Sequence, residues 1–150
     1  MIKKIVAAAL VLTIVTTTGG VKAQNVVTKA LEKVSKGIAS FYNDKFVGRK
    51  TATGEIFDNT KYTAASNTHQ LGTYVKVTNE KNGEVVYVKI NDRMNAKNHR
   101  LLDLTSQAAA DLKFRKAGTT KVNVEPVSVA EGQSGIASQL SSRSTTSGQL

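Results

Sequence analysis

Tyr74-Val75-Lys76-Val77-Thr78-Asn79-Glu80-Lys81-Asn82-Gly83-Glu84-Val85-Val86-Tyr87-Val88-Lys89-Ile90 reads as two strands joined by a turn, and it runs directly into Asn91-Asp92-Arg93. Val75 and Val77 alternate with Tyr74, Lys76 and Thr78, the period of a strand with one buried face. Asn82-Gly83 is the strongest short hairpin signal, and it predicts positive backbone dihedrals at the turn. Glu84 to Ile90 carries no turn residue, so the break after Ile90 is sharp. It leaves a carboxylate and a guanidinium side by side where a strand enters a loop, and loops on rigid supports are where folds present reactive groups.

Outward from this hairpin the same character persists. Ile38 to Tyr42 and Lys121 to Val127 are further β-branched or aromatic runs, and Val122 and Val124 alternate with Lys121 and Asn123. One helix is predicted over Ser106–Lys113, with Thr105 as its N-cap and Ala108-Ala109-Ala110 at its centre. The folded part is therefore read as residues 37–127, mainly β with one short helix. A closed barrel would remove the exposed strand edges of so small a sheet.

The flanks read differently. Lys3 and Lys4, the apolar run Ile5 to Val15, and Val21-Lys22-Ala23 predict a signal peptide over residues 1–23 with a cut after Ala23. The apolar run is short for a membrane span, so no stable membrane anchor is expected. Residues 24–36 hold Val27, Leu31 and Val34 at helical spacing and read as a linker or short helix. Residues 128–150 are Ser, Gly, Gln, Thr and Ala with few large apolar groups, and are expected to be a disordered tail.

The 150 residues contain no cysteine, so they hold no disulfide and no lipid-bearing cysteine. With only His69 and His99 available, no metal site and no cofactor is expected. The formal charge is +10; without Lys3, Lys4 and Lys22 it is +7, from 18 basic and 11 acidic side chains. That surplus suits a polyanionic neighbour or simply a soluble surface. Export and the lack of basic runs with interleaved aromatics argue against nucleic acid.

From these residues alone, Asp92 and Arg93 form either a functional pair or a structural ion pair at a turn, the commoner case. Their companions favour the first. Gly37-Ile38-Ala39-Ser40-Phe41-Tyr42, Gly48-Arg49-Lys50-Thr51-Ala52-Thr53-Gly54-Glu55-Ile56-Phe57, Tyr62-Thr63-Ala64-Ala65, Leu71-Gly72-Thr73-Tyr74-Val75, Asn91-Asp92-Arg93 and Arg100-Leu101-Leu102-Asp103-Leu104-Thr105 follow in this order. The series resembles the rare lipoprotein A (RlpA-like) family.

That resemblance implies a six-stranded double-psi β-barrel and lytic transglycosylase activity on peptidoglycan. The bond cut would be the β-1,4 link between N-acetylmuramic acid and N-acetylglucosamine in peptide-poor strands, leaving 1,6-anhydro ends. It places Asp92 at the acid/base position and Glu55 at a second carboxylate position. Ser66, His69, Arg93 and Tyr42 are then expected to face the sugar. Cell-division proteins are a further implied class of partner, in the periplasm or outside the cell. A non-lytic, expansin-like glycan-binding or wall-remodelling module is the alternative on the same barrel.

The chain departs from the family pattern near the presumed active face. Ser66 stands where the family has histidine, and serine does not titrate near neutral pH. His69 takes an aliphatic position and Gln70 a proline position. Met94-Asn95 replaces Gly-Pro, and His99 replaces glycine. As a strand, Thr63–His69 would turn Ser66 and His69 to opposite faces, and His69 is expected to be a solvent-exposed loop residue. Asp103 is expected to favour the start of the helix through its dipole.

Overall fold

The computed structural model describes residues 33–147. The expected signal peptide, and the linker up to Glu32, lie outside the described residues. Six strands are present: β1 (Ser35–Phe41), β2 (Thr63–Ala65), β3 (Tyr74–Asn79), β4 (Val85–Asp92), β5 (Leu102–Leu104) and β6 (Thr120–Val127). Two α-helices accompany them, α1 (Ser106–Asp111) and α2 (Val129–Ser147). The sheet closes in the order β1-β5-β2-β4-β3-β6. β1 with β5 and β2 with β4 are parallel, and the other pairs are antiparallel. Two parallel pairs inside an otherwise antiparallel closed barrel give the double-psi form.

The alternation seen in sequence fixes what faces inward. Val75, Val77, Val86, Val88, Ile90, Val122 and Val124 are fully buried, joined by Leu102 and Leu104 from β5. Burying each such side chain stabilises the fold by roughly 1.5–3 kcal/mol before entropy is subtracted. Helix α1 packs Ala108 and Ala109 against this core, small enough to bring its backbone close. Thr105 caps it as expected, its hydroxyl accepting from Ala108 N at 3.4 Å. The helix ends at Asp111, short of Lys113, because Lys113 adopts a left-handed backbone (φ 58°).

Two further expectations are corrected. β1 starts at Ser35, so the last residues of the presumed linker belong to the barrel, where Ser35 pairs with Val124. The hairpin turn uses one positive dihedral, at Gly83 (φ 75°). Asn82 instead spends its side chain, accepting from Glu84 N at 2.9 Å and donating to Leu112 O at 3.1 Å.

The largest correction concerns the tail. Residues 129–147 form helix α2, laid across the outer face of β3 and β4. Its docking face is Gly132, Gly135, Ile136 and Gln139, spaced as one side of a helix. A Cβ at Gly132 would overlap the Tyr74 side chain, and one at Gly135 the Tyr87 ring, so the missing side chains permit the contact. Gln139 then closes both backbone groups of Tyr87, accepting from its N–H at 2.6 Å and donating to its C=O at 3.0 Å. β2 begins opposite Lys89, so Tyr87 has no strand beside it on that edge, and the glutamine amide stands in for one.

Candidate active site

A bulge aims the candidate carboxylate. In the β2–β4 pairing Ala64 lies opposite Ile90, but Ala65 lies opposite Asp92, and Asn91 is the extra residue. Without it, the two-residue period would point Asp92 into the core beside Ile90. With it, Asp92 turns out to the rim while Asn91 is buried. The same register aligns Ser40, Asp103, Ala65 and Asp92 across β1, β5, β2 and β4.

The Asp92 carboxylate accepts three hydrogen bonds. Its Oδ2 accepts from the Tyr42 hydroxyl at 2.8 Å; its Oδ1 accepts from Ala52 N at 2.9 Å and from Arg93 N at 2.8 Å. Tyr42 is braced by the Phe57 and Phe46 rings, at 4.5 Å and 5.9 Å between centroids. Burial first, and then Asp92, raise the Tyr42 pKa well above its ordinary value. The phenol therefore keeps its proton and serves as a fixed donor to Asp92.

Glu55 reaches the same rim on a short finger, residues 48–57. Gly54 turns it at φ 85°, and Thr51 N donates to Glu55 O at 2.8 Å across the turn. The finger docks through Thr53 N to Asn91 O at 3.1 Å and through Ala52 N to Asp92. Glu55 accepts from Asn91 Nδ2 at 2.8 Å and from Lys89 Nζ at 2.9 Å. Those two hydrogen bonds, Asn91 foremost, hold its pKa below the usual carboxylate value. The bulge residue and its neighbour thus carry one carboxylate each: Asn91 holds Glu55, and Asp92 is held by Tyr42.

The remaining candidates serve the loop that follows β2. Strand character stops at Ala65, so the segment from Ser66 to His69 is loop and the opposite-face argument for a strand does not apply. Ser66 is fully buried; its hydroxyl donates to Leu101 O at 3.0 Å and accepts from Thr68 N and His69 N, both at 3.2 Å. His69, expected to be exposed, is buried, and its Nε2 has no hydrogen-bond partner among the described residues. Desolvation lowers its pKa, so the ring is neutral. Arg93 turns away from Asp92: its Nη1 donates to Ser66 O and to His69 O, the latter at 2.6 Å. Among the described residues no salt bridge joins Asp92 and Arg93.

The structure therefore brings Asp92, Tyr42 and Glu55 to one rim, and ties Ser66, His69 and Arg93 into the loop beside it. Asp103 does not serve the helix start; it accepts from Ser40 Oγ at 2.7 Å on the Asp92 row, near enough to help raise the Tyr42 pKa. Asn91, Ala52, Lys89 and the Ser40–Asp103 pair were not singled out as site residues in the sequence. Register and a loop docking across distant positions bring them in, and neither leaves a local signal. No group of His, Asp and Glu among the described residues is arranged to hold a metal ion.

Fold and site define a double-psi β-barrel that carries a tyrosine-held aspartate on a bulge at its rim. A family model described as lytic transglycolase matches residues 34–124, and the chain belongs to that family. A relative named endolytic peptidoglycan transglycosylase RlpA, from Haemophilus influenzae, is 38% identical over 118 residues, covering 76% of this chain and 41% of that protein. The protein of the same name from Pasteurella multocida is 47% identical over 89 residues, covering 59% of this chain and 30% of that protein. The chain thus spans less than half the length of these relatives. Among solved structures, Streptomyces papain inhibitor superposes with a TM-score of 0.52 at 22% identity, covering 64% of this chain and 96% of that one. A Clavibacter michiganensis expansin mutant in complex with cellohexaose reaches 0.50 at 20% identity, over 64% and 51%. These likenesses show the fold.

Proposed function

We propose that the chain is an endolytic peptidoglycan lytic transglycosylase, cutting the β-1,4 bond between N-acetylmuramic acid and N-acetylglucosamine in peptide-poor strands. The observation that carries this reading is the Asp92 carboxylate, turned to the rim by the Asn91 bulge and oriented by Tyr42, in a chain of the lytic transglycolase family. In the reaction the C6 hydroxyl of the muramyl residue bonds to its own C1 as the C1–O bond to the next sugar breaks. Asp92 gives its proton to the departing oxygen and takes the C6 hydroxyl proton. An internal nucleophile removes the need for a second carboxylate to position water, as a hydrolase requires. General acid–base help of this kind is worth about 10²–10⁴ in rate.

Glu55 supports the site as an anion. Asn91 and Lys89 hold it ionised, which suits a group that binds sugar hydroxyls. Arg93 fixes the loop beside the rim. The protein acts outside the cytoplasm, in the periplasm or the medium, with glycan strands as its partner and cell-division proteins as a second class.

Digesting peptide-free glycan strands and weighing the products tests this. Fragments one water lighter than hydrolysis products are expected, and Asp92→Asn should abolish them. Intact strands with both proteins would refute it. One observation favours a second reading, a non-lytic glycan-binding module: Ser66, at the family's histidine position, is buried and its hydroxyl fully used. Saturable sedimentation with sacculi and no released sugar would select that reading.

A further inference from the structure

Helix α2 lies beyond the family match, which ends at residue 124, yet it builds a wall beside the rim. Between it and the barrel is a groove of about 450 Å³, lined by Lys61, Tyr74, Lys89, Ile136, Leu140 and Arg143 among others. Its size falls within the range of about 300–1,000 Å³ usual for small-ligand clefts. The lining combines an aromatic face, an aliphatic strip and three cations, with polar tips at the edges.

The groove continues the active rim. Lys89 lines it and donates to Glu55 at 2.9 Å, and Lys61 is close enough to help hold Glu55 ionised. Asp58, the acidic residue of the lining, spends Oδ1 on its own loop, accepting from Thr60 N at 2.9 Å and Thr60 Oγ1 at 2.7 Å. Arg143 Nη1 donates to Thr60 O at 3.3 Å and its guanidinium also hydrogen-bonds the Tyr62 hydroxyl, which ties the helix to that loop. The Lys61 backbone is fixed by the Thr105 hydroxyl donating to its carbonyl at 2.5 Å, so the ammonium extends from a rigid base. Among the described residues Lys61 is in no ion pair, and it stands beside a tyrosine on which a sugar ring can lie.

We propose that this groove is a saccharide subsite, created by α2, that takes a sugar carrying a free carboxylate. The idea rests on the glycan-cleaving reading. In a peptide-poor strand that carboxylate is the lactyl group of a muramyl residue, which an attached peptide would convert to a neutral amide. Lys61 reads the charge, and Tyr74 with Leu140 carries the ring.

The test uses the full chain with Asp92→Asn, titrated calorimetrically with a peptide-free tetrasaccharide and with the same sugar after its carboxylates are reduced to alcohols. The free acid should bind about fivefold more tightly, which is roughly 1 kcal/mol. Lys61→Gln should bring the two ligands within about twofold of each other, and Leu140→Trp, which fills the groove, should weaken both. Equal affinity for acid and alcohol overturns the subsite, as does failure to bind either, or indifference to both substitutions. Binding that follows this pattern while the unsubstituted protein cleaves nothing keeps the subsite and removes the lytic reading. Cleavage without the pattern does the reverse.

Discussion

Replacing Gln139 by leucine removes the only side-chain amide that closes the Tyr87 backbone on the β2 side of β4 among the described residues. Two hydrogen bonds are lost, and each is worth about 0.5–1.5 kcal/mol net. If α2 stayed docked, the Tyr87 N–H and C=O would be left buried and unpaired, at about 1–3 kcal/mol each. The helix holds on by less than that. Its docking face is Gly132, Gly135 and a half-buried Ile136, which contributes on the order of 1 kcal/mol. Detachment is therefore cheaper than burying the unpaired groups, and α2 should open as a unit while the barrel persists. The expected result is a global loss of about 1–2 kcal/mol, lowering Tm by about 2–8 °C. Hydrogen exchange should show protection lost at Tyr87 N–H and along α2, while Val75, Val77 and Val124 lose no more than the global change. Gln139→Glu keeps the acceptor for Tyr87 N–H but not the donor for its carbonyl, and should fall between. Unchanged protection at Tyr87 in the leucine variant would refute the account of the tail.

Three further outcomes follow from the same contacts. His69 is buried and neutral with a lowered pKa, so the unfolded chain binds its proton more readily; stability from this group is complete above about pH 6.5 and is lost as pH falls through the lower folded value, and His69→Gln should flatten that part of a urea-midpoint profile against pH. Asn91→Ala removes the main cause of the lowered Glu55 pKa, so carboxyl NMR titration should move Glu55 up toward the ordinary range, weakening a contribution to stability that is present above that range and lost as pH falls. Leu104→Ala, at a fully buried position, should cost about 2–5 kcal/mol in chemical denaturation with the denaturant slope unchanged.

The barrel was legible because its strands carry their own evidence. Valines at alternate positions in β3 and β6, and Asn-Gly between β3 and β4, specify faces and pairing locally. Short β2 and β5 do not; three residues each, they are defined by what they pair with. The ordered motifs located Asp92 and Glu55, yet the Asn91 bulge that separates their roles depends on register with β2. Tyr42 reached the site as the partner of Asp92, across 50 positions, which no local pattern encodes. Helix α2 escaped because its buried face is written in glycine and glutamine. Composition sees those as disorder, whereas the spacing of Gly132, Gly135, Ile136, Gln139 and Leu140 repeats with the helical period. His69 was expected at the surface for a related reason: the Arg93 clamp on two loop carbonyls folds that segment inward.

The proposal that Asp92 drives an internal displacement at the rim is tested most directly by running the reaction in heavy-oxygen water. Attack by the sugar's own hydroxyl leaves solvent oxygen out of the product, whereas hydrolysis places it at the new chain end. Unlabelled, anhydro-ended fragments are expected from the unaltered protein and none from Asp92→Asn. Labelled reducing ends, or unlabelled anhydro fragments that persist in Asp92→Asn, would contradict it.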